Sequence, residues 1–346
     1  MKKYLFILCT FTWFSCSNDK SKDMYVTIDL TKQAVQAIPY SLFADTLSYL
    51  TLKMDDNSFI SYVEKLYLDD NFIFLKDDRK GGIFVFDRKD GSLIANLNYF
   101  GQGPGEFGSI RAFSIDPVKR QIHVFNYPFL HKYTYNGDFL ETINTDINLV
   151  DFCSLNTGDF ICIAPEDTGV GEPNGVWQVN SSFKFVKTLK EIPLDQHLYV
   201  RSTFYNRVGN GIYYYDRVVD DFSYITKDSV KQIFKFDFKQ RVPDDLRTKE
   251  IGSHLNPYSF ISEFAHSNQY LLLNYFNFNG NPSYWVLINK VSRQAIVSNE
   301  LFNDLNNIQI QSTNLFYVND QTWCRVLDPL ENNSSITIEF IHLKKQ

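Results

Sequence analysis

The sequence predicts an all-β fold, a six-bladed β-propeller of four-stranded antiparallel blades whose ring is closed by an N-terminal strand. Three observations point there. The 346 residues include 31 Phe, 21 Tyr and 4 Trp, and such side chains fit the half-buried surface of a pleated sheet. Short apolar alternations succeed one another between Asp, Asn, Gly and Pro, and almost no stretch carries helical periodicity. The alternations also recur in groups of four, the pattern of propeller blades.

Taken in order, the first unit runs SFISYVEKLYL, NFIFLKD, GGIFVFDR and SLIANLNYF, with Asp90-Gly91 turning the last pair. The second runs SIRAFSID, RQIHVFNY, FLHKYTYN and DFLETINT, with Asn136-Gly137 at the corresponding turn. Later units keep their middle strands: GDFICIAP with GVWQVNS, GIYYYDR with FSYITKDS, QYLLLNYF with SYWVLINK, and QTWCRVLD with SITIEFIHLK. The sixth unit runs out at Gln346 without an outer strand, while 45–54 (DTLSYLTLKM) has a strand pattern and no blade of its own. Pairing the two removes two exposed edges. Pro39 to Asp45 and Pro243 to Lys249 are the short helix candidates.

Ahead of the blades, Lys2 and Lys3 precede an apolar stretch from Tyr4 to Phe14 and then Ser15-Cys16, the layout of an export signal too short to span a bilayer. A small residue directly before such a cysteine resembles the lipobox of bacterial lipoproteins, which implies that Cys16 becomes a lipidated first residue. The expected organisation is therefore a leader over 1–16, a polar tether and extension over 17–38, and the propeller over 39–346. Net charge is -6, and about -8 once Lys2 and Lys3 leave. A mildly acidic surface argues against a nucleic-acid partner.

Cys153 and Cys162 flank the hairpin LNTGDF. A two-residue Thr157-Gly158 loop would set the cysteines opposite each other and permit a disulfide, whereas a one-residue register change would leave two buried thiols. Catalytic and metal signatures are missing: the six histidines are scattered, no zinc-type spacing or G-x-S-x-G elbow occurs, and the paired acids read as turn residues. The expectation is no metal and no cofactor.

The connection Gly101-Gln102-Gly103-Pro104-Gly105-Glu106-Phe107 reads as a structural turn between two blades. Its glycines allow tight backbone approach and Pro104 stiffens it; a phosphate-cradling role fails because Glu106 occupies the place of the third glycine in G-x-G-x-x-G. Glu106 is expected to pair with Arg111 or to cap the loop. The segment resembles the G-x-GPGE-F/Y motif of bacterial six-bladed β-propeller lipoproteins, which look similar to NHL-repeat proteins. YSLFADTLSYLTL, IFVFDRKDGSLI and HKYTYNGDFLETI carry the same resemblance. It implies a fold and an exported, outer-membrane-anchored location, and names no ligand.

Ligands of propellers usually meet the face formed by the blade-to-blade connections and the loops between second and third strands. On that face Arg79, Arg111, Tyr127, His131, Asp216 and Arg217 are the candidate binding residues, offering cations, acids and aromatic faces to a polar, ring-shaped or peptide ligand. The predicted function is that of a lipid-anchored, monomeric binding module for a protein, peptide or glycan, in nutrient capture or a surface complex. A glycan or peptide hydrolase or lyase, and an assembly protein without a small-molecule site, are the alternatives.

Overall fold

Six four-stranded antiparallel sheets stand around a common axis in the computed structural model, which describes residues 24–28, 36–55, 60–77, 81–164, 174–191, 204–216, 221–238, 241–247, 253–277, 283–306, 308–309, 315–327 and 336–345. The leader with Cys16 lies outside these residues. Blade 1 comprises Val63–Leu68, Phe72–Asp77, Ile83–Asp87 and Leu93–Leu97; blade 2 comprises Ala112–Asp116, Gln121–Asn126, Phe129–Thr134 and Phe139–Asn144. Blade 3 comprises Asp151–Ser154, Phe160–Ala164, Gly175–Val179 and Phe185–Glu191; blade 4 comprises Phe204–Val208, Gly211–Asp216, Asp221–Thr226 and Val230–Phe238. Blade 5 comprises Ser259–His266, Tyr270–Asn277, Ser283–Asn289 and Gln294–Ser298. All six expected middle-strand pairs are present.

Blade 6 takes three strands from the C-terminal end, Leu315–Asn319, Thr322–Leu327 and Thr337–Leu343, and its outer strand, Ala44–Thr51, from the N-terminal side. The register runs from Thr337 opposite Thr51 to Leu343 opposite Ala44, which is the predicted closure. Behind it lies a buried polar network. The Arg325 guanidinium pairs with Glu339, while Tyr49 and Asn303 donate to Glu339 Oε1 at 3.0 and 3.1 Å. Glu339 thus ties the second, third and closing strands to the connection from blade 5.

Two features fall in the stretch expected to be tether. Met24–Ile28 adds to blade 4 as a fifth strand, parallel to its outer strand, with Met24 opposite Phe234 and Ile28 opposite Phe238. Ile38–Pro39 then pairs with Leu301–Asn303 between blades 5 and 6. The chain therefore enters along the rim of blade 4 and passes blade 5 before closing blade 6. The first helix candidate holds only a single turn at Tyr40–Leu42, and the described part of the second holds a helical turn at Asp244–Arg247.

Apolar side chains alternate along the strands so that both faces of each blade meet a neighbour. Six clusters result, one per seam; Phe74, Phe113 and Tyr133 fill the seam between blades 1 and 2, and Tyr40, Phe43, Trp285 and Trp323 that between blades 5 and 6. Gly91 marks how closely the ring shuts, since its φ is +74° and a Cβ there would lie 2.3 Å from the Thr51 carbonyl of the closing strand. Across the channel, Lys65 of blade 1 donates to both carboxylate oxygens of Asp151 of blade 3 at 2.6 and 2.8 Å. Burial pulls the Lys65 ammonium toward neutrality, but Asp151 and Tyr67 outweigh it and raise the pKa.

Of the two registers open to Cys153 and Cys162, the hairpin takes the one that leaves two buried thiols. The hairpin loop after blade 3's inner strand holds three residues rather than two: the Leu155 N–H bonds to the Asp159 carbonyl at 2.8 Å, and Gly158 takes a left-handed φ of +85°. That shift pairs Cys153 with Ile161 and Cys162 with Phe152. Because side chains alternate across a strand, Cys153 packs in the seam with blade 4 and Cys162 in the seam with blade 2. Both are buried, and neither is joined in a disulfide.

Between blades 2 and 3, His123 Nδ1 lies 2.8 Å from Ser154 Oγ, and Ser114 Oγ accepts the Ser154 N–H at 2.9 Å. These groups are buried. Burial, aided by Lys132 and Lys119, drives the imidazole pKa down from 6.5 to about 3, so this is a neutral structural histidine.

These contacts predict three outcomes. Glu339→Ala strands the Arg325 charge and should cost about 3–5 kcal/mol in denaturant unfolding, most of it recovered when Arg325→Met is added. In the leader-free protein Cys153, Cys162 and Cys324 should resist a thiol reagent until denaturant is added, with no mass change on reduction. His123 stays neutral in the fold while the unfolded chain binds a proton near pH 6.5, so its contribution is present above pH 6.5 and is lost as pH falls toward 3. His123→Asn should flatten the loss of unfolding free energy between neutral pH and pH 4, by up to several kcal/mol.

Candidate functional site

The propeller has two faces. On the upper face lie the blade-to-blade connections and the loops between second and third strands. On the lower face lie the turns between first and second strands, at 69–71, 117–120, 156–158, 209–210, 267–269 and 320–321. Beside them are those between third and fourth strands, at 88–91, 136–138, 181–184, 227–229 and 290–293. Every one of these lower turns is described.

Of the predicted upper-face residues, Arg79, Arg217 and the Asp216 side chain lie outside the described residues. Of the other three, Arg111 and His131 each turn to a partner of their own. Arg111 is exposed and its Nη1 donates to Asn148 Oδ1 at 2.8 Å, joining two successive connections. Tyr127 is half exposed at a cis Tyr127-Pro128 bond. His131 points away from the channel: its Nδ1 is 2.8 Å from Thr142 Oγ1 on the outer strand, its ring lies against Phe107 and Phe129, and burial lowers its pKa.

The segment 101–107 is fastened to the outer half of blade 2. Glu106 caps it by accepting the Gly103 N–H at 2.8 Å, and Arg111 goes elsewhere. A Cβ on Gly101 would sit 1.9 Å from Glu106 Oε2, and Gly105, at φ +76°, would collide with the Phe139 ring. Tyr133 Oη donates to the Gly105 carbonyl at 2.6 Å.

Polar and aromatic groups from different blades meet on the lower face, where blades 4, 5 and 6 converge. The inner strands of blades 4 and 6 approach one another across the channel. Tyr213, at the start of blade 4's second strand, stacks on Phe222 with centroids 5.2 Å apart and planes 10° apart. It also meets Tyr224 at 5.2 Å and the His266 ring of blade 5 at 4.1 Å. From blade 6, Asp320 accepts Asn268 Nδ2 at 2.7 Å and the Tyr317 hydroxyl at 3.4 Å. Lys290, in a turn of blade 5, lies 2.7 Å from His266 Nε2 and donates to the Ser267 carbonyl.

Electrostatics set the protonation states of this cluster. Burial first, then the Asp320 charge and Tyr224, push the Tyr213 phenol up to about 12. Burial and Asp320 raise Tyr317, and burial raises Tyr224. Burial pulls the Lys290 ammonium down to about 8 against the pull of Asp320. It also takes His266 well below its usual range, with Lys290 adding to the effect; the neutral imidazole then accepts from Lys290. His266 Nδ1 is buried and unpartnered. At neutral pH the cluster offers phenol donors, one carboxylate acceptor and aromatic surface, with the charges of Asp320 and Lys290 offsetting each other. Among the described residues no group of His, Cys, Asp and Glu has the arrangement of a metal site.

None of these residues stood out in sequence. Tyr213 and Tyr224 sit in GIYYYD and FSYITKDS, where a tyrosine in an alternating strand reads as ordinary sheet packing. Asp320 is a turn residue beside Asn319, and only the ring brings it near Tyr213.

Comparison with known proteins supports the fold. A crystal structure from Bacteroides fragilis, bearing the provisional name of an exported protein, superposes with a TM-score of 0.74 at 15% identity, covering 93% of this chain and 100% of that one. Similarity to the Neurospora crassa Pan2 WD40 domain is weaker, with a TM-score of 0.43 and 12% identity over 82% of this chain and 90% of that one. A protein of unknown function from Bacteroides caccae gives 0.38 at 12% identity over 74% and 82%. No curated protein sequence matches the chain. The profile of the domain of unknown function DUF4934 matches residues 25–339, and the chain belongs to that family.

Proposed function

We propose that the protein is an exported binding module, lipidated at Cys16 and held at the outer membrane, whose ligand site is the lower mouth of the ring. The propeller fold suits such a role because a rigid ring positions side chains from several blades around one opening. The observation that carries the site is the convergence of Tyr213 and Tyr224 of blade 4 with Tyr317 and Asp320 of blade 6. Protonated phenols donate, Asp320 accepts and aromatic faces stack, a set that fits a neutral polar ligand with ring surface, such as a glycan, more closely than a strongly charged one. The Ser15-Cys16 junction supports the anchor, and the provisional name of the Bacteroides fragilis protein agrees with export.

A thermal-shift screen of the leader-free protein against neutral glycans and peptides, followed by calorimetry, tests the site. Tyr224→Ala and Asp320→Asn should each weaken a hit about tenfold, corresponding to about 1.4 kcal/mol, while Arg111→Ala on the upper face leaves it unchanged. A hit lost in Arg111→Ala or Tyr127→Ala and kept in the lower-mouth variants would move the site to the upper face.

A further inference from the structure

We infer that the lower mouth captures carbonyl compounds covalently, the Lys290 amine forming an imine with the aldehyde of a hydroxylated ligand such as the open chain of a reducing sugar. This deepens the proposed function and rests on its reading of the lower mouth as the ligand site.

The surroundings of Lys290 are unusual for a lysine in this fold. Three other lysines with largely buried side chains, Lys65, Lys76 and Lys132, each hold a carboxylate, of Asp151, Glu64 and Glu141 respectively. Lys290 holds neutral groups instead. Its Nζ lies 2.7 Å from His266 Nε2, donates to the Ser267 carbonyl and rests 5.7 Å from the centre of the Phe234 ring. The Lys290 backbone N–H donates to the Gln269 carbonyl at 2.8 Å, so the arm is held at both ends. An amine already fixed in place gives up less freedom when it reacts.

Burial without a paired counter-charge favours the neutral amine, and the pKa falls to about 8. At pH 7 about one such amine in ten is unprotonated, against roughly one in three thousand at the ordinary value near 10.5. The neutral amine is the nucleophile. His266 does not take up the charge, because burial and Lys290 hold its own pKa well below the usual range. An amine that keeps its bonds to His266 and Ser267 exposes its lone pair along the third direction, away from both. The Tyr213 and His266 ring centres are 4.1 Å apart, and the Asp320 charge acts on both Tyr213 and Lys290. Phenol donors and a carboxylate acceptor for neighbouring hydroxyls therefore stand beside the amine.

In the reaction the Nζ lone pair bonds to the carbonyl carbon and the C=O π pair moves to oxygen, giving a carbinolamine. Both amine protons then leave with that oxygen as water. One amine and one aldehyde give one imine and one water, with no change of oxidation state. The step reverses in water, which suits capture rather than turnover.

Glycolaldehyde with cyanoborohydride, which reduces the imine to a stable amine, tests this on the leader-free protein, with peptide mass spectrometry reading each lysine. At pH 7 Lys290 should label at least about tenfold faster than the exposed Lys53 and Lys184. That ratio should fall as pH rises through 8, where Lys290 has lost its proton and the others have not. Asp320→Asn removes the charge that holds the proton on Lys290 and should move the fall to lower pH. Lys290→Arg should abolish the label at that position while unfolding like the wild type. A ratio near one, or a ratio that does not change with pH, would overturn the inference. Calorimetry with methyl glycosides, which have no free aldehyde, tests the lower mouth by itself, so failure of the site is distinguishable from failure of the amine chemistry.

Discussion

Ring closure is the constraint on which the molecule depends. A six-bladed ring leaves no free inter-blade face only when the last sheet is complete, and here the last sheet borrows Ala44–Thr51 from the opposite end of the sequence. Glu339 concentrates that dependence in one carboxylate, which holds the Arg325 charge and accepts from the closing strand and from the blade 5 connection. A buried charge held this way adds little net stability compared with an apolar replacement, but it tolerates only one arrangement of its partners. The same logic operates on the opposite side of the channel, where Lys65 and Asp151 lock blade 1 to blade 3 past the inner strand of blade 2. Two ion pairs thus set the register of the ring, while the six apolar seams supply its cohesion.

Much of this architecture was legible in the sequence because propeller blades are local. Each consists of neighbouring strands joined by short turns, so alternation and turn residues such as Asp90-Gly91 expose it directly. The closing strand was legible by elimination, since 45–54 had a strand pattern and the sixth unit lacked an edge. For Cys153 and Cys162 the sequence left two registers open, because Gly158 serves equally as the end of a two-residue or a three-residue turn and only packing chooses. Met24–Ile28 escaped notice for a different reason. A parallel strand has no adjoining turn, and its partner lies more than two hundred residues away.

The site was the least legible part. Tyr213, Tyr224, Tyr317, Asp320, His266 and Lys290 come from three blades, and each has an adequate local explanation as a strand or turn residue. What distinguishes Tyr213, Tyr224, Tyr317, His266 and Lys290 is the shifted protonation that follows from their burial beside one another, a property of the closed ring. The upper-face residues, chosen by loop position alone, show the converse. Arg111, Tyr127 and His131 sit where strand order placed them, yet His131 faces the outer strand because side-chain direction along the third strand was not part of the loop argument.

The parallel alignment of Met24–Ile28 with Val230–Phe238 also has a mechanical meaning. A pull on Met24, directed past the turn at 227–229, acts along the strand axis, so the ladder hydrogen bonds are loaded together in shear. Had the strand run antiparallel, the same pull would have peeled them one after another from the end. Force drawn in that direction meets the resistance of all five residue pairs at once rather than that of the terminal pair alone.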